Sequence, residues 1–375
     1  MNTAPFEHLT PTQIIFGSGS VERAGDLAGQ LGSRALIVCG RKAMRAHGIL
    51  DRVSARLKAG GLTVTIYDGV SPDPKSDEVD EVTRIARERS CDVLIGLGGG
   101  SALDAAKAAS VALDCESVGE IVGKTLAPSE SSLPVLAIPT TAGSGAEVTK
   151  GAIVTDVDRS FKSGIRGNDV FPRIAIIDPD LTVTMPPEVA AETAFDALTH
   201  AIETYAARKA NPLSEVMSET AIRLLGLGLP RVATGELHSE DRAALSFASL
   251  LGGLTVATAS TCLPHRLQQA MGAVPTITLS HGRGLATVYR AWLAQAYPYA
   301  SPKFDRIGQL LGDEDIHAAI ERILAELELT ASLGELGFGE VEIDACMDGI
   351  SGNVDNDPIN NIDSGLMRGV YDASM

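Results

Sequence analysis

The stretch GLGGGSALDAAKAAS, residues 96–110, joins a buried-looking apolar run to a helical pattern through three consecutive glycines. Ser101 and Asp104 then stand in the S-x-x-D arrangement of a helix start. Glycines let a phosphate approach the backbone, and the free N–H groups of a new helix point at it. Gly98, Gly99, Gly100, Ser101 and Asp104 are therefore a candidate pyrophosphate cradle, with a plain strand-to-helix turn as the alternative. A second loop, PTTAGSGAEVT (139–149), also follows an apolar run and offers the hydroxyls of Thr140, Thr141 and Ser144 among glycines. It could clasp the same ligand from the other side.

Outward from these loops, RALIVCG (34–40), LTVTIYD (62–68), CDVLIGLG (91–98), LPVLAIP (133–139) and RIAIIDP (173–179) read as near-continuous apolar strands. The segments between them are long enough for crossover helices, which predicts an α/β domain with a doubly wound, mostly parallel, Rossmann-like sheet. After DPDLTVTMPPE (178–188) the character changes to long Ala- and Leu-rich helical stretches such as SETAIRLLGLGL (218–229) and RAALSFASLLGGL (242–254). The expected organisation is a dinucleotide-binding α/β domain over 1–185 and an all-α metal-binding and substrate domain over 186–375, without internal repeat or low-complexity linker.

The chain has 375 residues, 45% of them hydrophobic, enough for substantial cores. Its 31 Lys and Arg against 48 Asp and Glu give a formal charge of -17. The average surface therefore repels nucleic acid and anionic membranes, and any anion site must be local. No basic stretch followed by an apolar run opens the sequence, and no run of about 18 apolar residues suggests a membrane span. The five cysteines, at 39, 91, 115, 262 and 346, show no paired spacing, which suits a reducing compartment. The expectation is a cytoplasmic protein without nucleic-acid or membrane partners.

Within FDALTHAIETYAARK (195–209), Asp196 and His200 lie four residues apart and so on one helical face. His265 and His281 follow in PHRLQQAMGAVPTITLSHGRG. One carboxylate and three imidazoles suit a divalent transition metal such as iron(II) or zinc, and leave a coordination position open. The residues alone also fit a helix-face ion pair and isolated core or surface histidines. Cys262 and His265 form a lone C-x-x-H, with Cys262 read as packing.

Together, GGGSALDAAK, PTTAGSGAEVT, FDALTHAIE and the later His265 and His281 closely resemble the iron-containing (group III) alcohol dehydrogenases, of dehydroquinate synthase-like fold. The resemblance runs over nearly the whole chain from TQIIFGSGSVERAG (12–25). It implies a metal held by Asp196, His200, His265 and His281 between the two domains, a nicotinamide cofactor, hydride transfer between that cofactor and an aldehyde or alcohol, and a homodimer. It also implies that Lys162 contacts the cofactor.

Departures from the family pattern carry further expectations. Where the commoner form ends its first strand with an acidic residue, this chain has Gly40, Arg41 and Lys42; exchanging a carboxylate for cations favours NADP(H) over NAD(H). Where a further histidine commonly follows the third ligand by four residues, this chain has Gln269, which cannot titrate near neutrality, so a catalytic proton is assigned to water. Lys150, Arg166, Arg266 and Arg283 stand near the metal and glycine motifs, as an anionic substrate would require. The resemblance is greatest to the branch reducing phosphonoacetaldehyde to 2-hydroxyethylphosphonate. Succinic semialdehyde, maleylacetate and aliphatic aldehydes are alternative substrates, and a catalytically inactive binding subunit is an alternative of another kind.

Overall fold

The computed structural model describes residues 5–375. Its contacts divide the chain into two compact units, one formed by 10–141 with 145–185, the other by 186–375 with 5–9 and 142–144.

The first unit is built on strands β1 (Gln13–Phe16), β2 (Arg34–Gly40), β3 (Thr63–Val70), β4 (Val93–Gly98), β5 (Val135–Pro139) and β8 (Ile174–Ile177), in the order β1-β8-β5-β4-β2-β3 and all parallel. Alternate residues serve opposite faces. Ile37, Cys39, Ile95 and Ile138 pack with Val21, Leu50 and Val53 on one face, whereas Leu36, Val38, Leu94 and Val135 pack with Val79, Val82 and Ala105 on the other. The first cluster draws on helices α1 (Ala24–Ala28), α2 (Ala43–Ala46) and α3 (Ile49–Ala59), the second on α4 (Ser76–Glu88) and α5 (Gly100–Val111). Both faces are covered, so the inner strands β2, β4, β5 and β8 are apolar almost throughout.

Two expectations need correction. Between β5 and β8 there is no crossover helix but an antiparallel hairpin of β6 (Gly151–Asp156) and β7 (Phe161–Arg166). Its turn is closed by Asp156, which accepts the backbone N–H groups of Asp158 and Arg159. Ser101 does not cap α5 either: Gly99 occupies the N-cap and the helix begins at Gly100. Gly98 ends β4 at φ +142, and a Cβ there would stand 3.0 Å from that of Ala102, so only glycine turns this corner without strain.

The second unit is helical: α6 (Pro187–Ala206), α7 (Pro212–Thr234), α8 (Ser239–Ala259), α9 (Leu263–Met271), α10 (His281–Leu310), α11 (Ile316–Glu326), α12 (Glu340–Gly349) and α13 (Ser364–Asp372). Helices α6, α7 and α8 pack on one another around a buried hydroxyl cluster in which Thr204 Oγ1 meets Ser218 (3.0 Å) and Thr255 (2.9 Å). Among the described residues α8 is long and apolar enough to cross a membrane, yet it is mostly buried within its unit. All five cysteines are free, and burial pushes the Cys39 thiol up to about 12, consistent with a packing role.

The second glycine-bearing loop is held to α5 by a fully buried lysine. Lys107 Nζ donates to the carbonyls of Ala146 (2.9 Å) and Gly151, to Thr149 Oγ1 (3.0 Å) and to Asp104 (3.1 Å). Next to this anchor, Glu147 is buried, and desolvation pushes its carboxyl up to about 7 despite the opposing pull of Lys107. An acid whose folded value lies above its unfolded one stabilises fully below the unfolded value, near 4.5, and that contribution is lost as pH rises through about 7. Replacing Glu147 with Gln is expected to flatten the fall of stability between those values by on the order of 3 kcal/mol at most, read from denaturation midpoints of both proteins at pH 5 and pH 8.

Candidate metal and cofactor sites

Helix α6 starts on Pro187, whose missing N–H costs nothing at a helix beginning, and runs twenty residues. It buries Asp196 and His200 on one face, and Glu203 lies one turn further along the same face. His265 comes from α9 and His281 is the first residue of α10. The Nε2 atoms of His281, His265 and His200 lie 3.4, 3.6 and 3.7 Å from one oxygen, Asp196 Oδ1. The rings of His200 and His265 stack at 4.6 Å. All four sequence-predicted ligands are therefore brought together within the helical unit.

These separations are long for directed hydrogen bonds. Asp196 Oδ1 and His265 Nε2 are both buried without a hydrogen-bond partner. Leaving such groups unsatisfied away from water is costly. A cation at their centre removes the cost: ligand atoms about 2.1 Å from a tetrahedral ion stand about 3.4 Å from one another, close to the spacing seen. One ligand atom each from Asp196, His265 and His281 fall within 4.8 Å of one another. The residues fit a divalent metal.

Among the protein groups alone, electrostatics sort the four differently. Burial opposes the charge on Asp196, but the imidazoles of His200 and His281 hold its carboxyl well below the usual range. Burial takes His200 down to about 4. Burial alone would depress His265 too, yet Glu203 and Asp196 outweigh it and push it up to about 9.

Helix α9 has no local side-chain cap. Its first N–H groups are satisfied from a distance: Cys262 N–H donates to Glu203 Oε2 (2.7 Å) and Leu263 N–H to Asp357 Oδ2 (2.9 Å), which also accepts the Trp292 indole (2.9 Å). Glu203 further binds His265 Nδ1, and Gln268 Oε1 binds His281 Nδ1. Sequence reading missed Glu203, Gln268 and Asp357. Glu203 was findable as the seventh residue after Asp196 on a helix; Asp357 gave no local signal. The Cys262 thiol faces the Glu203 carbonyl (3.4 Å) and burial keeps it protonated, which leaves it to packing.

In the sheet unit, β2 leads outward to β3 while β4 leads to β5 on the other side, so the chain diverges between the carboxyl ends of β2 and β4. Parallel sheets bind ligands at such a switch point. Gly40 ends β2, and Gly98, which ends β4, is followed there by Gly99 and Gly100. Thr140 N–H donates to the Gly98 carbonyl (2.9 Å) and Thr141 adjoins Gly99, so the two loops touch. Ser101 Oγ accepts the Asp73 N–H (3.1 Å), and Lys162, buried, pairs with Asp73 Oδ1 at 2.7 Å. Ser144 lies in the stretch counted with the helical unit.

Several other predicted contacts are already engaged within the protein. Asp104 accepts Ile153 N–H (2.9 Å) and Lys107, so its carboxylate ties α5 to the hairpin. Arg41 is exposed but donates to Glu78 (2.8 Å) and to the Gly69 carbonyl (2.9 Å), while Lys42 is exposed. Arg166 folds onto its own hairpin at the Gly164 carbonyl (2.9 Å), and Arg283 binds Glu192 (3.2 Å). Lys150 is exposed. Arg266 is buried on α9 next to His265, donating to Gln269 Oε1 (3.2 Å) and Thr261 Oγ1 (2.6 Å).

A parallel sheet unit with phosphate-type loops and a helical unit with a carboxylate–imidazole metal cluster define a metal- and nucleotide-dependent enzyme of dehydroquinate synthase-like fold. The sequence profiles of the iron-containing alcohol dehydrogenase family match residues 11–179, and those of its C-terminal part residues 190–361. The chain belongs to the iron-containing alcohol dehydrogenase family, and is an oxidoreductase acting on alcohols or aldehydes with a metal and NAD(P). It is 34% identical to choline dehydrogenase of Bacillus subtilis over 80% of this chain and 75% of that one. It is 29% identical to sulfoacetaldehyde reductase of Bilophila wadsworthia over 92% of each. The crystal structure of alcohol dehydrogenase ADH/D1 from an archaeal halo-thermophile of a Red Sea brine pool superposes with a TM-score of 0.94 at 27% identity, covering all of both chains.

The placement of His281 depends on Gly282, where a Cβ would stand 2.4 Å from the Glu192 carbonyl oxygen on α6. Gly282→Ala is expected to push the start of α10 away from α6, destabilising by roughly 1–3 kcal/mol and weakening zinc affinity at least tenfold in chelator competition, in contrast to Gly369→Ala, where nothing lies within 4 Å.

Proposed function

We propose that the protein reduces a small anionic aldehyde to its primary alcohol with NADPH, phosphonoacetaldehyde to 2-hydroxyethylphosphonate being the best-fitting reaction, and that it works as a cytoplasmic homodimer. The observation that carries the anionic substrate is Arg266, a buried guanidinium one residue from His265 with hydroxyl and amide partners at Thr261 and Gln269. In a chain of charge -17, a buried cation one residue from a candidate metal ligand is a local exception. The similarity to sulfoacetaldehyde reductase supports the same reading, because sulfonate and phosphonate both end a two-carbon aldehyde in a tetrahedral oxyanion.

Asp196, His200, His265 and His281 would hold the divalent ion, iron(II) or zinc. Bound there, the ion supplies Lewis acidity toward the aldehyde oxygen while the nicotinamide supplies hydride. Gly98, Gly99, Gly100, Ser101, Thr140 and Thr141 present backbone and hydroxyl groups for the pyrophosphate, and Lys162, fixed on Asp73, completes this set. Gln269 has no group that titrates near neutrality; its Oε1 orients Arg266, and solvent delivers the proton to the alcohol. The NADPH preference rests on Arg41, whose guanidinium is exposed at the end of β2 even though Glu78 accepts one of its donors.

A second reading, a general aliphatic aldehyde reductase, is favoured by the pairing of Arg283 with Glu192 and of Arg166 with its own hairpin, which takes two cations out of substrate recognition. Oxidation of NADPH at 340 nm, with metal-reconstituted protein and matched phosphonoacetaldehyde, sulfoacetaldehyde, succinic semialdehyde and butyraldehyde, separates the readings. The anionic reading expects the phosphonate to lead, and Arg266→Gln to raise its KM by roughly 10- to 100-fold, the value of a charged hydrogen bond, with butyraldehyde unaffected. Butyraldehyde turned over as well as the anions would establish the second reading instead. For the cofactor, Arg41→Asp is expected to lower the NADPH-to-NADH ratio of kcat/KM at least tenfold; an unchanged ratio would remove Arg41 from cofactor choice.

A further inference from the structure

We propose that Glu203 is a positioning residue that makes His265 the strongest imidazole ligand of the metal cluster, and that Gln268, in the matching place behind His281, supports that ligand less strongly. The proposal rests on the reading that Asp196, His200, His265 and His281 hold a divalent ion.

The three histidines differ in what stands behind them. His265 Nδ1 lies 2.8 and 2.9 Å from the two oxygens of Glu203. His281 Nδ1 lies 2.5 Å from an amide oxygen, that of Gln268. His200 Nδ1 is buried and has no hydrogen-bond partner. A carboxylate accepting Nδ1–H fixes the tautomer, aims the Nε2 lone pair and raises its basicity, whereas a neutral amide orients the ring with less transfer of charge. Between His265 and His281 exposure follows the same order: the His265 side chain is 4% exposed and the His281 side chain 32%.

Glu203 itself is completely buried. Its partners are the His265 ring and the Cys262 N–H, neither of them a permanent cation. Burying a carboxylate so is expensive unless positive charge is nearby. An ion bound on the far side of the His265 ring places that charge one imidazole away, so Glu203 balances metal charge as well as aiming the ligand. Glu203 Oε2 also fixes the N–H just before α9, so the helix carrying His265 and the ring itself are set by one side chain.

The test reads metal, not turnover. Full-length protein is stripped with chelator and titrated with zinc(II) and cobalt(II) against a competing indicator, with neither NADPH nor aldehyde present. Wild type should bind one ion per chain and Asp196→Ala none; a wild type that binds no ion would defeat the proposed function itself. Glu203→Gln keeps an oxygen acceptor for Cys262 N–H while removing the charge. It is expected to weaken binding roughly 10- to 100-fold, quicken dissociation and shift the visible cobalt(II) absorption bands, with metal-free circular dichroism unchanged. Unaltered affinity and cobalt spectrum in a folded Glu203→Gln protein would overturn the inference while leaving the metal site standing. Gln268→Glu supplies an independent arm: a carboxylate behind His281 should tighten binding and slow dissociation, and no change or a loss would count against the proposal even where Glu203→Gln does not fold.

Discussion

One carboxylate oxygen, Asp196 Oδ1, sets the terms for the helical unit. Three imidazoles from α6, α9 and α10 are aimed at it, none close enough to form a directed hydrogen bond. Such an arrangement is a net cost to the protein alone, since polar groups are withdrawn from water without being paired. The surroundings over-determine it: Gly282 lets α10 begin against α6, the hydroxyl cluster of Thr204, Ser218 and Thr255 locks α6 to its neighbours, and Glu203 and Asp357 pin the start of α9. Stability spent on geometry of this kind is the usual signature of a functional site.

Capping from afar is the device that makes this possible. A helix start with its own Ser or Asp cap is set by local sequence. The start of α9 is instead held by residues distant in sequence, on α6 and near the C-terminal end of the chain, and Asn356 adds bonds to the carbonyls of Ala259, Ser260 and Thr261. The ligand-bearing helix is thereby tied to the fold of the whole unit rather than to its neighbours in the chain. Asp357 is buried enough for its carboxyl to be pushed up to about 6.

What could be read from the sequence followed from locality. Strands buried on both faces show as unbroken apolar runs, so β2, β4, β5 and β8 were legible, and Asp196 with His200 was legible because helical spacing makes neighbours of them. The β6–β7 hairpin was not: the residues of β6 alternate between buried and half-buried, and the expected helix gave way to a turn closed by Asp156. Ser101 and Asp104 matched a capping pattern but were drawn into bonds with Asp73, Ile153 and Lys107. Arg283, read as a substrate cation, binds Glu192, a partner far away along the chain that the sequence does not reveal. Charges can be counted in a sequence, but their pairing is decided by tertiary structure.

Helix α8 carries a consequence for how the chain is made. Alone, it has the length and apolarity of a segment that lipid or a chaperone would capture, and its surface is hidden chiefly by packing on α6 and α7. Both of those helices precede it, so during synthesis its docking surface has left the ribosome before it emerges. A circular permutant placing α8 ahead of α6 would present the same apolar helix with nothing to receive it, and aggregation during synthesis would follow although every native contact could still form.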